Sequence, residues 1–384
     1  MPENCRGIDS TTGAVIEISF DRVIQSVDHV IGNGGTHSYV SAGWIDLQVN
    51  GFAGVDYNTP STPHEEIARS IRVLHSTGIT RFLPTVITGA PDDMAGALGN
   101  LARARESLEE GPAMEGFHVE GPHISPEDGP RGAHPKAWVR KPDLDEFRRW
   151  QDAARGNVRL VTLSPEWPEA VGYIEALVRE GVVVSIGHTK AGPREIADAV
   201  SAGATLSTHI GNGAHAVLQR HPNYIWEQLA EDRLTAGFIV DGIHLGAAFL
   251  KVGLRAKGVE RAFLVTDAVM PAGCAPGRYK LGGVEVELHP DDRVTLVENT
   301  RLAGSALRME RGIENLMKLA GLSLTEAITM ATRNPARAAR IAARQRGLTP
   351  GERGDVVQFR FDPDSKRIEV EKTWVSGKEM YKAA

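Results

Sequence analysis

Cysteine is nearly missing from the 384 residues, with Cys5 and Cys274 making up the whole complement. Two such distant thiols form neither a disulfide framework nor a Cys-x-x-Cys metal or redox motif, so they read as unpaired packing residues of a reducing compartment. No run of about 18 apolar residues occurs, which excludes an expected membrane-spanning helix. The opening stretch MPENCRGIDS has no basic start followed by an apolar run, so no secretory leader is expected and the cytoplasm is the predicted location. Neither charge sign dominates: 43 Lys and Arg against 49 Asp and Glu leave a formal −6. Such a chain offers no broad basic field to nucleic acid or an anionic membrane. An anionic ligand must be caught by a local positive site.

With 41% hydrophobic residues the chain can bury a large core. From about residue 42, short apolar runs ending in polar residues alternate with amphipathic stretches of helical period. The runs lie at 42–49, 80–87, 114–119, 158–163, 182–186, 205–208, 236–240 and 262–265. Eight strands alternating with helices over roughly 250 residues predict an α/β fold, a (β/α)8 TIM barrel. A doubly wound open sheet, which would show similar alternation, is the second choice. Residues 1–41 and 344–384 alternate as β instead, and are predicted to pair into a small β-sandwich domain built from both chain termini. The barrel then occupies 42–343, with a β-hairpin insertion near 278–298.

In such barrels chemistry sits at the carboxyl ends of the strands. There the sequence delivers Gln48 and Asn50, Thr85 and Thr88, His118 and Glu120, His188, His209, Asp241 and His244, and Asp267. One carboxylate and two imidazoles at a barrel mouth suit zinc or ferrous iron, with a coordination position left open. Glu120, His188 and His209 are the predicted set. Asp267 ends the last strand, where a carboxylate is costly without a partner. It suits a general base, with a helix cap or structural ion pair as the other reading. Asp241, in Asp-Gly, is as readily a turn residue. The stretch Gly211-Asn212-Gly213-Ala214, followed by Arg220, could present backbone N–H groups to a phosphate or carboxylate, or be a Gly-rich turn beside a surface arginine.

One more absence shapes the reading. The first strand, GWIDLQVNG, has Gln48 and Asn50 where many metal hydrolases carry His-x-His, and the fourth ends Thr162-Leu163-Ser164 without the lysine that carries a bridging carbamate. A dinuclear hydrolase is therefore disfavoured.

Taken in order, GWIDLQVNG, GFHVEGPHI, RGAHP, SIGHT, THIGNGA, VDGIHL, LVTDAVMPAG and LAGSALRM resemble the N-acetylglucosamine-6-phosphate deacetylases of the amidohydrolase superfamily. The resemblance implies metal-dependent removal of acetate from the amide nitrogen of an amino-sugar phosphate. It places Glu120, His188 and His209 on the metal ligands and Asp267 on the catalytic carboxylate. His134 falls on a histidine near the reacting amide, and Asn212 and Gly213 on a backbone phosphate cradle. Arg220 and His244 fall on side chains that bind phosphate or sugar, the arginine reaching across from a neighbouring subunit, which implies a homodimer. It also implies one divalent ion per subunit, zinc before ferrous iron, with Gln48 left to hydrogen-bond a water or the acetamido group. Relatives commonly read Asn-Ala-Met and Arg-Glu-Pro-Gly where this chain reads Asn212-Gly213-Ala214 and Arg220-His221-Pro222-Asn223. Another substrate, such as N-acetylgalactosamine 6-phosphate, therefore stays open. A non-catalytic barrel that only binds is the remaining alternative.

Overall fold

A computed structural model describes residues 2–31, 37–281, 284–298 and 301–384. Its centre is an eight-stranded parallel sheet in sequential order. The strands are β1 (Trp44–Val49), β2 (Ile79–Ile87), β3 (Phe117–Glu120), β4 (Val158–Leu163), β5 (Val183–Ile186), β6 (Leu206–Ser207), β7 (Thr235–Ile239) and β8 (Ala262–Val265). A parallel bridge between Val49 and Ala268 joins the first strand to the segment after the last and closes the (β/α)8 barrel. Every residue of β1, β3, β5 and β8 is buried, as strands covered on both faces must be.

The helices follow their apolar spacing. His64–His75 buries Ile67, Ile71 and Leu74 along one face, with Glu65 and Glu66 in its first turn and Arg72 in its last. The chain then turns at Gly78, φ 83°, where a Cβ would stand 2.2 Å from the Trp44 ring, so only glycine lets this turn press on β1. Leu144–Ala153 is hard to read from sequence, because only Phe147 and Trp150 of LDEFRRWQDA are buried. Asp143 caps it by accepting from the Asp145 and Glu146 N–H groups. The apolar stretch LTEAITMATRNPARAARI divides into Leu324–Ala331 and Arg333–Ala338. Pro335, which cannot donate a helical hydrogen bond, lies in the first turn of the second piece.

Both chain ends meet in one seven-stranded sheet, ordered Lys378–Lys382, Ile368–Val375, Val356–Phe361, Ser38–Ala42, Glu3–Asp9, Val15–Phe20 and Ile24–His29. Its faces differ. Cys5, Ile16, Ile18, Phe20, Val356 and Trp374 form a separate small core, while Val357, Phe359 and Ile368 join the barrel core. The insertion after β8 is larger than the expected hairpin. Gly277–Leu281, Val284–Leu288 and Val294–Leu296 make an antiparallel three-stranded sheet, the extra strand returning after the Asp291-Asp292 turn. Residues 282–283, between its first two strands, lie outside the described residues. Among those described, no helix is long and apolar enough to cross a membrane.

Candidate active site

The barrel's carboxyl end collects most of the residues singled out in the sequence. Glu120 ends β3. His188, His209 and Asp267 each stand two residues beyond the end of β5, β6 and β8, and each has a left-handed backbone, with φ of 49°, 28° and 51°. Such a conformation costs a non-glycine residue on the order of 1–3 kcal/mol, and the same kink used three times turns these side chains out of the strand register into one site.

The Glu120 Oε1 atom lies 3.0 Å from His209 Nε2 and 3.3 Å from His188 Nε2, and the two nitrogens are 3.1 Å apart. Ligand atoms at about 2.0–2.1 Å from a tetrahedral zinc ion stand about 3.3 Å from one another, so this triangle has the dimensions of a metal face. His188 Nδ1 donates to the Pro130 carbonyl at 2.8 Å, so Nε2 is the ring nitrogen left for a metal. Glu120, His134 and His188 also have candidate ligand atoms within 4.8 Å of one another. In that triple His134 Nε2 stands farther off, 3.8 Å from Glu120 Oε2, while its Nδ1 bonds Thr88 Oγ1 at 2.8 Å. The tighter triangle is the better face, with His134 beside it. A buried Glu/His/His cluster of this kind fits a divalent metal ion.

Electrostatics separates the two carboxylates. Burial would raise Glu120, but the hydrogen bonds and charges of His188 and His209 outweigh it and hold its carboxyl well below the usual range. Asp267 is pushed up to about 6 by burial and by the Glu120 charge, against the pull of His209, His244 and Asn50. Burial and the neighbouring His188 drive His134 down to about 3, so it is neutral at physiological pH. Neighbouring carboxyls with pKa values pushed apart are the pattern of a site that divides binding from proton transfer.

The first strand joins the two acids. The Gln48 side-chain amide donates to Glu120 Oε1 at 2.8 Å and to Asp267 Oδ1 at 3.1 Å, and Asn50 Nδ2 donates to the same Asp267 oxygen at 2.7 Å. His118, also near a strand end, lies deeper. It spans from the Leu47 carbonyl to Thr162 Oγ1, and burial lowers it to about 4, so it is a neutral core histidine. Asp241 accepts from the Ile243 and His244 N–H groups and from the His244 ring, combining a turn with support for that imidazole.

These groups open into a cavity of about 710 Å³ lined also by His134, Asn212, Gly213 and His244. The Asn212 N–H and side-chain amide both turn back to the His209 carbonyl. The Gly213 and Ala214 N–H groups have no acceptor among the described residues, so the open donors lie one position later than the family pattern implies. Arg220 is exposed on the following loop and is not part of the cavity wall. Sequence reasoning missed the far wall: Leu281, Val284 and Leu296 of the inserted sheet, and Arg301, whose Nη1 donates to the Gly132 carbonyl at 2.9 Å. It also missed His215, which lines the cavity with its ring between Tyr224 and Glu127. Only its position just after the Gly-rich turn could have signalled it.

Known proteins share this fold. Residues 39–380 match the model of the Amidohydrolase family. An N-acetylglucosamine-6-phosphate deacetylase of Bacillus subtilis (strain 168) is 34% identical over 324 residues, 83% of this chain and 80% of that one. An N-acetylgalactosamine-6-phosphate deacetylase of Shewanella sp. (strain ANA-3) is 33% identical over 352 residues, 91% and 84% of the two chains. A solved N-acetyl-D-glucosamine-6-phosphate deacetylase from Mycobacterium smegmatis, a mutant in complex with N-acetyl-D-glucosamine-6-phosphate, superposes with a TM-score of 0.88 at 28% identity, covering 99% of both chains. With its barrel, its strand-end acids and imidazoles and a family match spanning most of its length, the chain belongs to the amidohydrolase family.

Proposed function

We propose that this protein is a metal-dependent deacetylase that hydrolyses the amide of N-acetylglucosamine 6-phosphate to glucosamine 6-phosphate and acetate. The carrying observation is the Glu120, His188 and His209 triangle set beside a carboxyl raised to about 6, in a chain whose relatives deacetylate amino-sugar phosphates.

Glu120, His188 and His209 would hold one divalent ion, and nitrogen donors with a single carboxylate favour zinc, then ferrous iron. When bound, such an ion polarises an amide carbonyl and lowers the pKa of water from roughly 15.7 to about 7. Asp267 removes the proton from the attacking water and returns it to the amide nitrogen, which cannot leave as an anion. Asn50 and Gln48 fix the carboxylate oxygen Oδ1, leaving Oδ2 for the proton. His134, its Nδ1 2.8 Å from the Thr88 hydroxyl, would carry its proton on Nε2 and donate to the developing oxyanion, a contact worth about 3–4 kcal/mol. The Gly213 and Ala214 N–H groups receive the phosphate, with His244 at the sugar, and that binding holds the acetamido group in place.

Arg220 lies outside its own cavity, which supports a homodimer in which it reaches the partner's phosphate. Two free cysteines, one buried, suit the cytoplasm. A second substrate, N-acetylgalactosamine 6-phosphate, is favoured by one observation: the loops 211–214 and 220–223 depart from the common pattern while a relative of similar identity acts on that sugar. Amine release from N-acetylhexosamines with and without 6-phosphate, using metal-reconstituted protein, tests the assignment. Equal rates on the unphosphorylated sugars would contradict it.

A further inference from the structure

Asp267 is held in a strained conformation, and something must hold it there. Its side chain is bonded by Gln48 and Asn50, but those contacts do not fix its backbone. The backbone is gripped through its neighbour Thr266, which is 1% exposed. The Thr266 hydroxyl donates to Asp46 Oδ2 at 2.5 Å and accepts from the Ala268 N–H at 3.1 Å, so one oxygen ties the residues on either side of Asp267. The Thr266 N–H donates to the Asp46 carboxylate at 3.3 Å. From the opposite side, Ser305 Oγ donates to the Thr266 carbonyl and the Ser305 N–H to the Asp267 carbonyl at 3.0 Å.

The far end of this grip leads back to the same carboxylate. Asp46, wholly buried, also accepts from the Gln48 N–H at 3.1 Å, and Gln48 is the residue whose amide reaches both Glu120 and Asp267. One buried carboxylate therefore sets the height of β1 against β8 at the point where both deliver groups to the site. No atom of Asp46, Thr266 or Ser305 lines the cavity. Their effect on reaction must pass through the residues they hold, Asp267 and Gln48.

We propose that Thr266, clamped between Asp46 and Ser305, is a positioning residue that holds Asp267 in the left-handed conformation needed to carry the proton. This rests on the deacetylase reading of Asp267. A backbone that relaxes toward ordinary φ would swing the carboxyl off the line between water and amide nitrogen, and misplacement on the order of 1 Å can cost about 100-fold in rate.

The test compares Thr266→Val, which keeps shape and removes the hydroxyl, with Thr266→Ser, which restores it, in metal-loaded protein. Expected for valine is a fall in kcat of at least about tenfold, with KM and bound metal per chain unchanged, and recovery by serine to within about threefold. A folded, metal-loaded Thr266→Val protein with kcat within about twofold of the parent overturns the proposal, as does a loss shared equally by the serine variant. Should Thr266→Val not fold, Ser305→Ala is read by the same kcat-against-KM split, and unchanged kcat again overturns it. If the parent protein releases no acetate, the functional reading fails by itself. The clamp is then judged by a crystal structure of Thr266→Val, where relaxation of the Asp267 φ away from about 51° supports it and an unchanged φ refutes it.

Discussion

Gln48 Nε2 donates to Glu120 Oε1 over 2.8 Å, occupying with a neutral amide the side of the carboxylate where an imidazole at the same position would serve a second ion. An amide is a weak ligand for a transition metal, so the site should take about one tightly held ion per chain. Replacing the pair, Gln48→His with Asn50→His, should raise tight metal content to about two per chain by elemental analysis after reconstitution. Two ions in the unaltered protein would contradict the reading of β1.

Asp267 gives a pH prediction. In metal-free protein its carboxyl is raised to about 6, first by burial and then by Glu120. A base works deprotonated, so activity falls as pH drops through its pKa. A cation held beside it favours the carboxylate and moves that pKa down. The metal-free protein should therefore show a carboxyl titrating near 6 by NMR, absent from Asp267→Asn, and the acid limb of kcat/KM in the loaded protein should lie lower. Asp267→Asn should retain metal while losing about 10²–10⁴-fold in kcat.

Gly213 sits closer to His188 than any other residue type allows. A Cβ there would stand 2.7 Å from His188 Nδ1 and 3.1 Å from the Pro130 carbonyl, on the hydrogen bond that orients the ring, and φ is 56°. Gly213→Ala should weaken metal affinity by about tenfold or more, since partners that orient a ligand imidazole commonly carry that much. Competition titration against a chelator measures it.

At the other end of the barrel, Arg81 of β2 and Arg344 are both buried against Asp355, with Arg353 bonding the same carboxylate at 2.8 Å. Burial would raise Asp355, but the three guanidinium groups overcome it and hold the carboxyl far below its usual range. Removing it takes away the ion-pair partner of the buried Arg344 and leaves Arg81 with Glu115 alone, so Asp355→Ala should cost about 3–5 kcal/mol in urea unfolding without changing metal content of the folded protein.

The barrel was legible because each strand is a short apolar run closed by a polar residue, even β6, where only Leu206 and Ser207 pair as strand. Glu120, His188, His209 and Asp267 were legible for the same reason: each follows such a run. The left-handed kinks of His188, His209 and Asp267 could not be read, since a positive φ is uncommon for any single non-glycine residue. Leu281, Val284 and Leu296 reach the cavity only because the inserted sheet docks over the barrel mouth, a long-range contact with no periodic signature. Asp46 stood in plain view in GWIDLQVNG, but its value lies in Thr266, 220 positions away.

The most direct test is acetate release from N-acetylglucosamine 6-phosphate by the protein as purified, after chelation, and after zinc return. Predicted are turnover in the first, its loss in the second and its recovery in the third, with Asp267→Asn slower by about 10²–10⁴-fold wherever the parent turns over. Turnover that survives complete metal removal, or is kept by Asp267→Asn, would contradict the account.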